Sequence, residues 1–295
     1  TPNPAVGAVI VKEGNIVGEG WTGKPGGPHA EIVALNQAGD KAFGSDMYVT
    51  LEPCCHFGRT PPCTTSIIKS GVKNVYVSVL DPNPSVDGGG VNNLKDAGLE
   101  VSVGLNEKES LNVMAPHFTL MRTGRPFVVA KFAMSLDGKI ASVSGESKWI
   151  TGRKARERVH QLRSHSDAVM VGINTVLTDD PKLTARDGVL PEGFTQPLRV
   201  VVDSNMRTPV TSSICNHDAK TLIATSKSHT HSEFPNNVSF KTFPSNSSGI
   251  DLDALFKYLG DMSVTSVLVE GGSSLLGSLF DQRLVDKVFA FLAPI

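Results

Sequence analysis

Short apolar runs alternate with amphipathic segments along almost the whole chain, and this alternation restricts the fold more than any other feature. "AVGAVIV" and "EGNIVGEGW" read as a strand hairpin turning at Glu13-Gly14-Asn15. "HAEIVALNQAG" has apolar residues at helical spacing and a stop signal at Gly39. "DMYVTLE" reads as a strand, "CTTSIIKSG" as a short helix closed by Gly71, and "VKNVYVSVL" as a buried strand. "VNNLKDAG" then reads as a helix and "LEVSVGL" as a strand. This order argues for an α/β fold, a mostly parallel sheet with helices on both faces.

The pattern breaks at "LMRTGRPF", residues 120–127, where basic and turn-forming residues interrupt it. A division into residues 1–122 and 123–295 is expected there, and 295 residues suffice for two domains. The second part restarts with the strand "PFVVAKFAMS" and the helix "KARERVHQLRSHS". Strands follow at "DAVMVG", "LRVVVDS", "TLIAT" and "SVLVEGG", then a helix "SSLLGSLFDQRLVDK" and a strand "VFAFLAP". "PSNSSGIDLD" reads as a mobile loop, and no repeat links the halves. Both ends read as truncated: the first residue is Thr1, directly in a strand pattern, and the last is Ile295, at the end of another.

Charge excludes one class of partner. Twenty-eight basic and 29 acidic residues nearly cancel, which does not suit a protein that tracks a nucleic-acid backbone. A small, phosphorylated ligand is the better expectation. No apolar stretch reaches 18 residues, so no membrane span is expected. Of the cysteines Cys54, Cys55, Cys63 and Cys215, three fall within ten residues. Such clustering points to a metal site in a reducing compartment, hence a cytoplasmic protein, rather than to a disulfide framework.

A zinc site that activates water needs three protein ligands and one open position. It also needs a carboxylate beside the metal but not bound to it, to move protons from water to the departing group. His29-Ala30-Glu31 at a helix start, followed by Pro53-Cys54 and Cys63, supplies such a set. Cys54, placed near the start of a second helix, gains there from the dipole that favours thiolate. The pattern is the zinc-deaminase signature, His-x-Glu then Pro-Cys-x-x-Cys, with eight residues rather than two between the cysteines. Cys55 and His56 are rival ligands. Adjacent residues rarely chelate one tetrahedral metal, so Cys54 is preferred to Cys55, which is expected to be a small buried residue. A closed structural zinc site or an iron cluster is the competing reading, but neither needs Glu31.

"TPNPAVGAVIV", "PHAE", "TLEPCCHFGRTPPC", "DPNP", "AMSLDGKIA", "GESKWIT", "TVLTDDPKLTAR" and "VEGG" occur in one order across the chain. Together they resemble the bifunctional riboflavin-biosynthesis deaminase/reductases. The resemblance implies a cytidine-deaminase-like three-layer domain followed by a dihydrofolate-reductase-like α/β domain. It implies that one zinc ion per chain serves removal of the 2-amino group of a diaminopyrimidinone ribotide. It implies NADPH-dependent reduction of the ribosyl unit of the deaminated product to ribityl. A helix usually precedes "TPNP" in this family, and a homo-oligomer is expected.

Carried over by position, the resemblance makes His29, Cys54 and Cys63 the metal ligands and Glu31 the proton shuttle. Asn3 falls near the pyrimidine, while His56 and Arg59 lie in the loop between the cysteines as substrate contacts, Arg59 for the phosphate. Asn83 is read as a turn residue. In the second half no G-x-G-x-x-G occurs, and "VLVEGGSSLLGSLF" is the one local clue to a phosphate cradle. The resemblance places Gly272, Ser273, Ser274, Leu275 and Leu276 at the cofactor phosphates. It places Ala133, Trp149, Thr175, Asp179 and Ser204 at other cofactor contacts. Ser147, Arg163, Leu183, Arg186 and Glu270 fall on substrate positions, with Arg163 and Arg186 suited to a ribose phosphate. Lys131 and Glu270 are the candidate catalytic groups of the reduction. Ser204 and Arg207 are possible contacts for a cofactor 2′-phosphate. His117, His160, His165, His217, His229 and His231 are read as surface or core residues.

Three other functions compete: a nucleic-acid deaminase, a binding protein with a vestigial zinc site, and a deaminase whose reductase-like domain no longer transfers hydride. Neutral charge opposes the first. An intact His-x-Glu opposes the second, and Lys131, Asp179 and Glu270 oppose the third.

Overall fold

The computed structural model describes residues 3–24, 26–58, 60–140, 150–186, 190, 195–228, 233–246 and 249–294. The chain divides into two units, Thr1–Gly124 and Arg125–Ile295.

The first unit is built on five strands: β1 (Gly7–Lys12), β2 (Asn15–Trp21), β3 (Asp46–Leu51), β4 (Asn74–Val79) and β5 (Glu100–Val103). Their order is β2-β1-β3-β4-β5. β1 runs antiparallel to β2 and β3, while β3, β4 and β5 are parallel. The helices are α1 (Ala30–Ala38), α2 (Cys63–Ser70), α3 (Gly89–Asp96) and α4 (Glu107–Thr123). Side chains alternate across a strand, so residues two apart share a face. Ile10, Met47, Val49, Val75 and Val77 bury with Ala34, Ile67 and Leu94 of α1–α3. At the carboxyl ends of β3 and β4, Leu51 and Val79 form a separate cluster with Met114 and Phe118 of α4.

The seating of α1 explains the glycines of "VGEGW". A Cβ on Gly18 would lie 2.2 Å from Ala34 O, and one on Gly20 would lie 2.1 Å from Ala30 O. Only a side chain of hydrogen lets the helix press this closely on β2. The first turn of α1, with His29 before it and Glu31 in it, is thereby fixed against the sheet.

The second unit is a seven-stranded sheet ordered β10-β9-β8-β7-β13-β6-β14. These strands are β6 (Phe127–Ser135), β7 (Ala168–Gly172), β8 (Leu198–Val202), β9 (Thr221–Thr225), β10 (Val238–Thr242), β13 (Ser266–Val269) and β14 (Lys287–Ala293). Every pairing in it is parallel. The helices are α5 (Arg153–Ser164), α6 (Ile173–Asp179), α7 (Leu252–Asp261) and α8 (Ser273–Asp281). A parallel sheet covered on both faces needs strands apolar throughout, which accounts for "AVMV", "RVVV" and "SVLV". Met170, Val200 and Val267 bury with Leu255, Phe256 and Leu279 on one face. Val169, Val201 and Leu268 bury with Val176 and Ile214 on the other.

The sequence expectation did not include α4, α6, β10 or α7, and it differs at further points. "PSNSSGIDLD" contains the paired segments β11 (Ser245–Asn246) and β12 (Gly249–Ile250), then the start of α7, whose N-cap Asp251 accepts the Ala254 N–H. The helix predicted over 273–287 ends at Asp281, and β14 begins at Lys287. Cys63, not Cys54, opens α2; the sulfur of Cys54 nonetheless accepts the first amide of that helix, Cys63 N–H, at 3.3 Å.

Candidate active sites

β3 delivers Leu51-Glu52-Pro53-Cys54 to the edge of a cavity of about 220 Å³, and α1 and α2 point their N-termini at the same place. His29, Cys54 and Cys63 converge there, with their ligand atoms all within 4.8 Å of one another. His29 Nδ1 lies 3.6 Å from Cys54 Sγ and 3.2 Å from Cys63 Sγ. Ligand lengths of roughly 2.0 Å to nitrogen and 2.3 Å to sulfur at a tetrahedral angle call for N···S separations of about 3.5 Å. The three atoms therefore fit zinc. Cys55 and His56 stand outside the triad; burial pushes the Cys55 thiol up, as suits an inert side chain.

The electrostatics of the triad are those of a metal site. The Cys54 thiol is held at about 4, by the hydrogen bond from the Cys63 thiol and, more weakly, by His29 and the Cys63 N–H. Cys63 is pushed up by donating that bond and by burial. His29 is raised by its bond to the Cys54 thiolate. Its other nitrogen, Nε2, lies 3.2 Å from Thr60 Oγ1. With Nε2–H donating to Thr60, Nδ1 keeps its lone pair for the metal.

Glu31 is 3 % exposed and faces the triad across the cavity floor. Desolvation raises its carboxyl, the charge of Cys54 adds to the rise, and His29 opposes it. A carboxyl moved toward neutrality can both take and return a proton. Asn3 and His56 line the same cavity, and His56 Nδ1 is a buried atom without a hydrogen-bond partner among the described residues. Asn83 lines it too, while its Oδ1 accepts the Ser85 N–H at 3.0 Å, so one side chain makes the turn and reaches the cavity. Arg59 lies outside the described residues.

Sequence reasoning missed four groups here. Asp81 lines the cavity and is 3.1 Å from Nε2 of His117, and both are buried. His117, read as a surface or core histidine, belongs to the cavity wall. Glu52 is buried, and its carboxylate accepts the N–H groups of Asp81, Gly88 and Val91 at 3.1, 3.0 and 2.9 Å. It ties the metal loop to the segment carrying Asp81 and Asn83. Thr60 is the fourth. The signal within "TLEPCC" and "DPNP" was the crowding of acids and prolines, but the pairings are long-range.

In the second unit the candidate residues gather at the carboxyl ends of the parallel strands, where open α/β sheets bind ligands. Arg163 grips Glu270 with two nitrogens, Nε at 2.6 Å and Nη2 at 3.0 Å, and donates Nη1 to Thr184 O at 3.1 Å. Lys131 Nζ is 3.7 Å from Glu270 Oε2. Desolvation of Glu270 alone would raise its carboxyl; the charges of Arg163 and Lys131 overcome this and hold it down. Lys131 lies on an interior strand, between β13 and β14, with Ala133 on the same face. Leu183 is buried, and Arg186 is exposed two residues beyond Thr184.

A second cavity, about 430 Å³, is walled by Thr175, Ser204, Gly272, Ser273, Ser274 and Leu275. Gly272 is the extended N-cap of α8, so the first amides of that helix open into the cavity. Leu276, by contrast, is buried in the core, and neither Ala133 nor Asp179 is on this wall. Ser147 and Trp149 lie outside the described residues.

A triad of metal ligands with a buried carboxylate beside it, on a sheet flanked by helices, defines a zinc-dependent deaminase, followed in the chain by an α/β domain built on a seven-stranded parallel sheet. Comparison with known proteins agrees half by half. Residues 1–79 match the zinc-binding region of cytidine and deoxycytidylate deaminases, and residues 126–295 match the RibD C-terminal domain. Over 99% of its length the chain is 44% identical to the riboflavin biosynthesis protein RibD of Aquifex aeolicus, spanning 81% of that protein. It is 42% identical to RibD of Escherichia coli, over 99% of this chain. The solved structure of Acinetobacter baumannii RibD superposes with a TM-score of 0.91 at 40% identity, over 100% of this chain and 82% of that one. A Thermotoga maritima diaminohydroxyphosphoribosylaminopyrimidine deaminase/5-amino-6-(5-phosphoribosylamino)uracil reductase superposes at 0.88 with 39% identity. The chain belongs to the RibD family of riboflavin biosynthesis, bifunctional enzymes with a zinc-dependent deaminase half and an NADPH-using reductase half.

Proposed function

We propose that the first unit removes the 2-amino group of 2,5-diamino-6-ribosylamino-4(3H)-pyrimidinone 5′-phosphate by hydrolysis. The second unit then reduces the ribosyl side chain of 5-amino-6-(5-phosphoribosylamino)uracil to ribityl. The observation that carries this reading is the convergence of His29, Cys54, Cys63 and Glu31 on one cavity with Asn3, His56, Asp81 and Asn83.

His29, Cys54 and Cys63 would hold zinc, which would lower the pKa of a water toward neutrality and so make a nucleophile available there. Glu31 would carry the two protons of the attacking water in turn, the first to the ring nitrogen and the second, from the hydroxyl so formed, to the departing amine, which leaves as ammonia as the carbonyl forms. Its burial suits both roles. Asn3, His56, Asp81 and Asn83 offer the donors and acceptors that fix the pyrimidine edge, and His56 Nδ1 has no competing partner among the described residues. Arg59 is assigned to the substrate phosphate.

NADPH supplies the hydride in the second half. Glu270, clamped by Arg163, holds the Lys131 ammonium toward the strand ends. Lys131 donates to the ribose oxygen and assists opening of the sugar to the form that accepts hydride. Because the Arg163 guanidinium is engaged with Glu270 and Thr184 O, Arg186 is the freer cation for the phosphate of this substrate. Ser147 and Leu183 complete the substrate contacts, and Ala133, Trp149 and Asp179 those of the cofactor. The thiol cluster suits a reducing cytoplasm, and no described helix is long and apolar enough to cross a membrane.

Both steps are tested by supplying the diaminopyrimidinone ribotide with NADPH and following ammonia release and NADPH absorbance separately. Both signals, in that order, are expected. Ammonia without NADPH oxidation restricts the chain to deamination, and NADPH oxidation without ammonia removes the assignment of the first unit.

A further inference from the structure

α4 carries a polar ring on its buried face. Met114 and Phe118 of this helix pack on Leu51 and Val79, and His117, three residues from Met114, shares their side of the helix. Burying an imidazole costs free energy unless its N–H is paired. The partner comes from far along the chain: Nε2 lies 3.1 Å from Oδ1 of Asp81, and both side chains line the deaminase cavity. A carboxylate only accepts, so Nε2 is the donor of this bond. The ring stands edge-on to Phe118, with centroids 6.0 Å apart and planes at 81°.

Asp81 opens the segment "DPNP", in which Pro82 and Pro84 have no N–H to give. The amides that follow each proline are taken up by side chains: Asp81 Oδ1 accepts the Asn83 N–H at 2.9 Å, and Asn83 Oδ1 accepts the Ser85 N–H at 3.0 Å. The Asp81 N–H is itself held by Glu52 at 3.1 Å. These bonds fix the backbone of Asp81 but not the plane of its carboxylate. The last torsion of an aspartate is broad and nearly two-fold, and a single bond from a neighbouring amide lets either oxygen serve. The bond from His117 removes that freedom. Two donors from different elements, the turn amide and the α4 imidazole, meet on Oδ1. Oδ2 makes no hydrogen bond among the described residues and is the oxygen left for a ligand in the cavity. An ionised carboxylate oxygen accepts N–H groups and repels carbonyl lone pairs, and an aminopyrimidine offers several N–H groups.

We propose that His117 is a positioning residue of the deamination: by donating to Oδ1 it sets the Asp81 carboxylate so that Oδ2 receives an N–H of the aminopyrimidine. Proton transfer stays with Glu31, and His117 acts through Asp81 alone. The inference rests on the reading of this cavity as the site that deaminates the diaminopyrimidinone ribotide.

Steady-state ammonia release from the ribotide tests it, on the zinc-loaded chain and on His117→Phe, His117→Gln, Asp81→Asn and the double variant Asp81→Asn/His117→Phe. His117→Phe keeps a ring against Phe118 but cannot donate. It is expected to raise KM roughly 10-fold, within the range of one hydrogen bond to a charged group, with kcat held within about threefold. His117→Gln brings an amide N–H to the neighbourhood of Nε2 and is expected to keep KM within about threefold of the unmodified chain. Asp81→Asn puts a donor in the place of the free oxygen and raises KM at least as far as His117→Phe. Adding His117→Phe to it raises KM no further, because the two residues act as one unit. Zinc content, read by metal analysis, is unchanged throughout. An unchanged KM in His117→Phe overturns the proposal, as does a further loss in the double variant. A His117→Gln chain as impaired as His117→Phe, or loss of zinc or of the folded state in His117→Phe, overturns it too and makes the pair a structural tie between α4 and the loop after β4. No ammonia release by the unmodified chain overturns the functional reading of the cavity, and the proposal with it.

Discussion

At the scale of single residues, the deaminase half depends on groups that differ in what they give up when changed. Glu31→Gln keeps size and one hydrogen-bonding oxygen but cannot carry a proton. It is expected to lower deamination at least about 10²-fold, with zinc content and NADPH oxidation on the deaminated substrate intact. Loss of zinc in this variant, read by metal analysis, would make Glu31 a structural residue instead. Thr60 acts through His29: Thr60→Val removes the partner of Nε2 and is expected to weaken zinc about 10- to 100-fold in a chelator competition, with His29 still in place. The triad also predicts a proton count. In the metal-free chain the Cys54 thiol is held at about 4, while Cys63 is pushed up and keeps its proton. Zinc uptake near neutrality should therefore release at least the Cys63 proton, measurable by calorimetry in buffers of different ionisation enthalpy.

At the scale of elements, the deaminase site is as exact as the seating of α1 on β2. Gly20→Ala would drive a methyl into Ala30 O. It is expected to cost about 1–3 kcal/mol of stability by overpacking and to weaken zinc as well, because His29 rides on the displaced helix. The corresponding joint of the reductase half is ionic. Glu270 follows β13, Arg163 lies in α5, and Lys131 is in β6. The Glu270 carboxyl is depressed in the fold, so the stability it lends is present above its ordinary pKa of 4.5 and is lost as pH falls through the depressed value. Glu270→Gln should remove that acid-side dependence in urea titrations. It should also cost about 3–5 kcal/mol at pH 7, because Arg163 is left buried without its counter-charge.

At the scale of the whole molecule, each of the two units carries its own core and its own cavity. Chelation of zinc is expected to abolish ammonia release and lower the unfolding temperature of residues 1–124. The NADPH-dependent step on deaminated substrate should survive it. Lys131→Ala is expected to show the converse, with ammonia released and NADPH unconsumed.

The alternation of apolar strands with amphipathic helices was legible over much of the chain, because periodicity is a local property, but α4, α6, β10 and α7 were not read from it. So was the metal set, since His-x-Glu and Pro-Cys…Cys are short segments whose chemistry survives without coordinates. Less could be read where partners are distant in sequence. The Thr60 bond to His29 spans 31 residues, the Asp81–His117 pair 36, and the Arg163 grip on Glu270 107. Neither member of such a pair carries a mark of the other. Asp203 shows the same division most plainly. By sequence it is an acid after the run "LRVVV", read as capping a loop rather than binding a ligand, with nothing local to name its partner. Only the turn that closes Thr208 onto it sends its charge inward and leaves Arg207 at the cavity of the second unit. Sequence alone thus determined the zinc-assisted deamination through residue types and local spacing, while the joined reductase came from the ordered motifs that resemble a known family. The tertiary structure decided which side chains share a cavity and which are engaged elsewhere, because hydrogen bonds and burial are set by contacts that the chain makes only after it folds.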